Sequence, residues 1–278
     1  MESVYCSLDT YGFPIDKSNP NYKELMKFLA IIPARYASTR FLAKPLALLG
    51  GRPIIQHVYE QVSRVFDHVC VATDDERILK TVESFGGVGV MTSTAHRSGT
   101  DRCFEAYTKS GLDVDVVVNV QGDEPFIAES QLRSVMECFD DPQTQIATLV
   151  KPFASDSSIE TIDNPNSPKV VTDNNGYALY FSRSVIPYLR GVERKDWPSH
   201  HTFLKHIGLY AYRVDVLKAI TSMPMGRLEE CESLEQLRWL QAGYRIKVGQ
   251  TDVETIGIDT PEDLARAEEF LKHKEQDK

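Results

Sequence analysis

Three cations, Arg35, Arg40 and Lys44, crowd one short segment, Ala34-Arg35-Tyr36-Ala37-Ser38-Thr39-Arg40-Phe41-Leu42-Ala43-Lys44-Pro45-Leu46. It follows directly on the apolar run Phe28-Leu29-Ala30-Ile31-Ile32-Pro33. Fixed positive charge at the end of a buried strand is a natural seat for a polyanion, and triphosphate is the first to try. The chain as a whole carries a formal charge of -9, so this cluster is not one sample of a basic surface. The same acidity argues against a general nucleic-acid binder. Two carboxylates are candidates to meet the cations with a metal between: Asp123 in Gln121-Gly122-Asp123-Glu124-Pro125, and Asp259 in Gly257-Ile258-Asp259-Thr260-Pro261.

The elements that must position these residues alternate between strand and helix. Strand Phe28–Ile32 leads into the cationic loop and a Gly50-Gly51 turn; a helix then starts at Pro53 and runs to about Val65. Strand Val69–Ala72 precedes a helix capped by Asp74. Val88–Met91 is a short strand, and Ser98 or Thr100 opens a helix through Tyr107. Val114–Val120 is a buried strand, with a helix near Ser130–Phe139 behind it. Apolar strands alternating with helices imply a parallel sheet covered on both faces. In such a sheet the ligand crevice lies beyond the carboxyl ends of the strands. Asp113 and Asp115 precede the valine strand and are at its wrong end; Asp123, like Arg35, Arg40 and Lys44, is at the right one.

Beyond Ala147–Val150 the pattern loosens. Lys169–Thr172 and Tyr177–Phe181 flank the turn Asp173-Asn174-Asn175-Gly176 as a β-hairpin. The apolar run Ile207–Tyr212, a helix Glu230–Gln241 and a helix Pro261–Lys272 follow. Residues 1–27 read as a flexible extension, and 28–278 as one domain in which about 150–215 is an inserted region. The chain has 278 residues, 42% hydrophobic, ordinary for a globular protein. Its five cysteines are scattered without metal or redox spacing, and Cys70 reads as a small buried hydrophobe. No stretch approaches the roughly 18 apolar residues of a membrane span, and no signal core opens the chain. A cytoplasmic location is therefore expected.

Several residues carry two readings. The loop is not a P-loop, and no Gly-x-Gly-x-x-Gly follows the first strand, which disfavours a dehydrogenase. Surface arginines alone would account for the cationic loop. Asp123 is equally a turn carboxylate before Pro125. Asp259 lies in a helix start that capping by Thr260 would explain by itself. The histidines His200, His201 and His206 do not match a zinc helix.

Taken in order, Ile31–Arg40, Val71–Asp75, Ser98-Gly99-Thr100-Asp101-Arg102, Asn119–Pro125, Gly176–Arg183, His206–Tyr210, Leu234-Glu235-Gln236-Leu237-Arg238 and Gly257–Asp263 closely resemble the 3-deoxy-manno-octulosonate cytidylyltransferase (CMP-Kdo synthetase) family. The resemblance spans about residues 28–270. It implies an α/β fold: a Rossmann-like, GT-A-like nucleotidyltransferase with a mostly parallel sheet, helices on both faces, and an inserted β-hairpin region that joins a homodimer. It implies the reaction CTP + Kdo → CMP-Kdo + pyrophosphate, for lipopolysaccharide assembly. Carried over by motif, Arg35, Ser38, Arg40 and Lys44 hold the triphosphate, and Ser98, Gly99 and Arg102 lie beside the nucleotide. Gln121 contacts nucleotide or sugar, Asp123 and Asp259 bind Mg2+, and Arg183, His206, Tyr210, Glu235 and Gln236 line the sugar pocket. The expected chemistry is attack of the sugar's anomeric hydroxyl on the α-phosphorus, with the hydroxyl activated by metal rather than by a histidine. The family usually has Pro-Gly where this chain has Leu42-Ala43, a loss that matters if the backbone there needs positive φ. An 8-amino-Kdo or sialic acid acceptor, UTP as nucleotide, and a non-catalytic nucleotide-binding regulator remain the competing readings.

Overall fold

The computed structural model describes residues 26–37, 41–254 and 257–276. Its strands, in chain order, are β1 (Phe28–Ala34), a small hairpin of β2 (Leu48–Leu49) and β3 (Arg52–Pro53), β4 (Val69–Thr73), β5 (Gly89–Met91), β6 (Val116–Asn119), β7 (Ile146–Pro152), β8 (Lys169–Thr172), β9 (Ala178–Ser182), β10 (Leu204–Arg213) and β11 (Ile246–Gln250). The longer helices are α1 (Ile54–Val62), α2 (Glu76–Ser84), α3 (Gly99–Ser110), α4 (Glu129–Glu137), α5 (Val214–Thr221), α6 (Arg227–Glu232), α7 (Gln236–Gln241) and α8 (Pro261–Gln276).

Nine strands share one sheet, with the path β11-β7-β10-β6-β1-β4-β5. β1 runs parallel to both β4 and β6, and β4 to β5, so the first half of the chain forms the expected parallel block. β10 is antiparallel to β6 and to β7, which makes the sheet mixed rather than wholly parallel. β8 and β9 form the expected antiparallel hairpin, attached through β8 to β10. β1 and β6 bury nearly every residue, as a strand covered on both faces must. One face packs Ile55 and Val58 of α1, Val82 of α2 and Leu132 of α4; the other packs Cys103 of α3, Leu217 of α5 and Trp239 of α7. Each such fully buried aliphatic side chain contributes about 1.5–3 kcal/mol. Burial raises the Cys70 thiol to about 12, so it behaves as the expected hydrophobe. No described helix is long and apolar enough to cross a membrane.

Two expectations are corrected. The cap of α2 is Asp75, whose carboxylate accepts from Arg77 N at 2.9 Å, and not Asp74. The single helix expected over Glu230–Gln241 is two, α6 and α7, separated where Ser233 takes φ 51. β11 and α5 had no distinct signal and complete the sheet edge and its second layer. The expected extension lies outside the described residues up to 25.

Candidate functional site

The carboxyl ends of β1, β4 and β6 open onto one edge of the sheet, and the cationic loop leaves from there. Arg35, directly after β1, is exposed on a cavity of about 310 Å³ and has no ion pair among the described residues. Ala43 donates its N–H to Tyr36 O at 3.0 Å, and a short 3-10 turn over Lys44–Leu46 then points Lys44 inward. Arg77 fastens this loop from outside: its guanidinium sits 3.3 Å from the Tyr36 ring centroid. Ser38 and Arg40 lie outside the described residues.

Ala43 has φ 55, so the backbone does adopt the left-handed conformation that makes a glycine useful there. A side chain in that region costs about 1–2 kcal/mol. Ala43→Gly is therefore expected to raise unfolding stability by about 0.5–1 kcal/mol, the strain relief exceeding glycine's larger unfolded-state entropy. A urea melt with unchanged slope would register it, and a lower midpoint would mean that the methyl group packs better than its φ suggests.

Asp123 and Asp259 come together. Lys44 Nζ donates to Asp123 Oδ2 at 2.6 Å and to Asp259 Oδ1 at 3.0 Å. The loops themselves are joined by Ile258 N donating to Asp123 O at 2.9 Å. Gly122 lets the turn that carries Asp123 pack against the end of β1, since a Cβ there would meet Pro33 O at 2.9 Å. The cap of α8 is made by Thr260 and Asp263: Asp263 N donates to Thr260 Oγ1, and the N–H groups of Asp259 and Thr260 donate to Asp263. The helix start and the Asp259 carboxylate thus have separate tasks, which the sequence alone left undivided. Lys44, expected on triphosphate, lines the first cavity and is bonded there to the two acids.

Among the described residues no group of three or more His, Cys, Asp or Glu side chains gathers as a metal site. The donor set still fits magnesium, which takes one or two carboxylates and completes its shell with phosphate oxygens and water. Two carboxylates already drawn to one cationic point are that minimum.

The amino end of α3 forms the opposite wall. Ser98 caps the helix, its hydroxyl accepting from Asp101 N at 3.1 Å, while Gly99 packs against Pro33. First-turn N–H groups of a helix this long favour an anion or a polar edge. Arg102 is buried and donates to Asp74 Oδ2 at 2.8 Å and to Thr92 Oγ1 at 2.6 Å, tying α3 to the end of β4.

A second cavity, about 440 Å³, adjoins the first. Tyr210, Glu235 and Gln236 line it as expected, and Gln121 reaches across it to donate to Gly208 O at 3.3 Å. Thr100, Asn119 and Tyr212 also line it and were missed. The hydroxyls of Tyr210 and Tyr212, Asn119 Oδ1 and Gln236 Nε2 are buried and complete no hydrogen bond within the protein. Buried polar atoms without partners are costly, so four of them around one space mark a binding surface for something rich in hydroxyl groups. His206 is one layer back, its Nε2 3.1 Å from Thr148 Oγ1 and its ring against Tyr210. Burial pulls its pKa down to about 4, so it is neutral.

Arg183, expected in the sugar wall, is not among the residues lining either cavity. Its guanidinium donates to three backbone carbonyls: Glu232 O at 2.6 Å, Pro165 O at 2.7 Å and Ser233 O at 3.2 Å. These bonds use three of its five N–H groups. Arg183→Ala is expected to lower stability by about 2–4 kcal/mol, because three acceptors lose a charged donor at once. Chemical denaturation measures it; a loss below about 0.5 kcal/mol would show that these bonds are dispensable.

The two cavities have Gly99, Gln121, Asp123 and Asp259 in common. One space faces cations and a helix end, the other faces hydroxyl-seeking groups, and the paired acids stand at the junction.

Comparison with known proteins places the chain in a family. The Cytidylyltransferase family matches residues 29–247. A 3-deoxy-manno-octulosonate cytidylyltransferase of Phocaeicola vulgatus is 68% identical over 250 residues, covering 90% of this chain and 99% of that one. One from Bacteroides thetaiotaomicron is 66% identical over 249 residues, covering 90% and 100%. Among solved structures, CMP:2-keto-3-deoxy-manno-octonic acid synthetase complexed with CTP superposes with a TM-score of 0.82 at 39% identity, covering 89% of this chain and 99% of that one.

Proposed function

The chain belongs to the 3-deoxy-manno-octulosonate cytidylyltransferase family, and on that premise we propose that it transfers the cytidylyl group of CTP to Kdo, releasing pyrophosphate. The product would be the activated sugar used in lipopolysaccharide assembly. The observation that carries the reading is the wall common to the two cavities, where Asp123 and Asp259 separate a polyanion seat from a polyol seat.

In this reading the triphosphate lies in the first cavity against Arg35 and Lys44, with Ser38 and Arg40 from the same loop. The nucleoside lies along Ser98, Gly99 and Arg102. The sugar lies against Tyr210, Glu235 and Gln236, and Gln121 spans the junction. The anomeric hydroxyl oxygen forms the new bond to the α-phosphorus, the bond to the β-phosphate's bridging oxygen breaks, and the hydroxyl proton passes to solvent. Phosphoryl-type transfer asks the protein chiefly for alignment and charge stabilisation. Arg35 and Lys44 meet the charge that builds on the departing pyrophosphate. Asp123 and Asp259 would hold Mg2+, which when bound supplies Lewis-acid polarisation of phosphate and a more acidic sugar hydroxyl.

The test is pyrophosphate release with one nucleotide and one acceptor at a time. Release with CTP and Kdo together, and not with CTP alone, is expected. Faster release with 8-amino-Kdo, a sialic acid or UTP would reassign the substrate; no release with any pair would return the regulator reading. We also infer that 150–215 serves pairing of two copies, since Leu179 on the hairpin's second strand and Tyr188 beyond it are 62% and 75% exposed. Sedimentation of Leu179→Asp should then give monomer where the parent chain gives dimer.

A further inference from the structure

Arg238 closes the motif that supplies Glu235 and Gln236, and neither the nucleotide nor the sugar assignment uses it. Its Nη2 donates to Glu235 Oε1 at 2.8 Å. The other carboxylate oxygen, Oε2, accepts from Thr100 Oγ1 at 2.8 Å. Arg238 is itself anchored: Nη1 donates to Met223 O at 3.2 Å, and Nε forms an ion pair without a hydrogen bond, 3.5 Å from Glu229 Oε2, the oxygen that accepts from Gly226 N. Glu235 is thus gripped from two sides, by an arginine fixed to the α6 segment and by a threonine in the first turn of α3. Thr100 adjoins Gly99, which belongs to both cavities.

We propose that Arg238 and Thr100 are positioning residues that hold the Glu235 carboxyl group aimed into the second cavity and tie its orientation to the helix whose amino end lines the first. The proposal rests on the second cavity being the sugar site. Both oxygens of Glu235 keep lone pairs for a ligand, and a carboxylate clamped at both ends presents them with little rotational freedom. An anionic acceptor suits the hydroxyl groups of a sugar; a protonated carboxyl would offer one acceptor fewer.

The surroundings make that charge dependent on the clamp. Facing Glu235 are Arg238 from its own helix, Ser98, Thr100, Asp101 and Cys103 from the α3 end, and Tyr210 and Tyr212 from β10. Burial, the largest influence, raises its pKa above the ordinary carboxylate value and Asp101 adds to this, while the Thr100 bond, the Arg238 charge and a Ser98 bond pull against the rise. Without Arg238 the carboxyl holds its proton to higher pH. Sugar binding should then weaken at neutral pH and return as pH rises.

The experiment compares Arg238→Met, Arg238→Lys and Glu235→Gln by apparent KM for Kdo, by calorimetric CTP affinity and by unfolding midpoint, from about pH 6 to about pH 9. Arg238→Met is expected to raise the sugar KM about tenfold or more at neutral pH, with CTP affinity within about twofold of the parent. Its acid limb should move to higher pH, so that part of the loss is recovered at the alkaline end. Arg238→Lys, which keeps the charge, should recover part of the loss at neutral pH. An equal weakening of CTP and sugar with a lowered midpoint and an unmoved pH profile would overturn the proposal, leaving Arg238 a fold-supporting residue. If Glu235→Gln raises the sugar KM and Arg238→Met does not, the positioning role fails while the sugar site stands. An unchanged sugar KM in Glu235→Gln overturns both.

Discussion

Asp123→Asn is expected to lower kcat by about 10²–10³-fold while leaving the unfolding midpoint nearly unchanged. The amide has the size of the carboxylate and keeps an oxygen that accepts from Lys44. The main-chain bond from Ile258 to Asp123 O does not involve the side chain at all. What is removed is one negative charge at the junction of the two cavities, on a side chain that is 28% exposed. Asp259→Asn should behave alike, and for a reason only the geometry supplies: the α8 cap is held by Thr260 and Asp263, so no capping energy is at stake. Because the two acids meet at one cationic point, the double substitution should cost scarcely more than the worse single one. Steady-state pyrophosphate release under saturating CTP and sugar decides it. Retention of more than about a tenth of turnover in Asp123→Asn would take this carboxylate out of the reaction.

That the two acids meet was half legible beforehand. The rule that ligands gather beyond the carboxyl ends of parallel strands separated Asp123 from Asp113 and Asp115. Those two indeed sit at the far edge, where Asp115 accepts from Lys27 N at 2.8 Å and Asp113 pairs with Lys27 at 3.6 Å. The strands were legible because burial on both faces leaves unbroken apolar runs. Tyr212 was legible too, but missed: it lies two residues after Tyr210 on a strand, so both rings share a face and reach the same cavity. Asn119 carried the signal of a polar residue ending a valine run. The break between α6 and α7 carried none, since Ser233 in a left-handed conformation has no glycine or asparagine to announce it. Arg183 was out of reach for another reason. Its three acceptors belong to Pro165, Glu232 and Ser233, segments remote in sequence that only the folded chain brings together.

Lys44→Met should separate two effects that a single lysine now combines. In the structure its side chain is 14% exposed and its ammonium pairs with both Asp123 and Asp259, offsetting one of their two negative charges. In the proposed reaction the same charge is needed on the triphosphate. A divalent cation entering the site would compete with it for the carboxylates, and a phosphate would compete with the carboxylates for it. Methionine keeps the length and apolar stem and removes the charge. With the competing ammonium gone, Mg2+ affinity measured by calorimetry on the protein without nucleotide should rise or hold. Turnover should nevertheless fall by about 10²-fold or more, because the departing pyrophosphate loses a fixed positive partner. A general collapse of the loop would instead weaken metal and nucleotide binding together and lower the unfolding midpoint. The opposed directions, tighter metal with slower chemistry, distinguish a charge that acts in the transition state from one that only holds two acids in place. Turnover within about tenfold of the parent would assign Lys44 to the second role and leave the triphosphate to Arg35 and its neighbours.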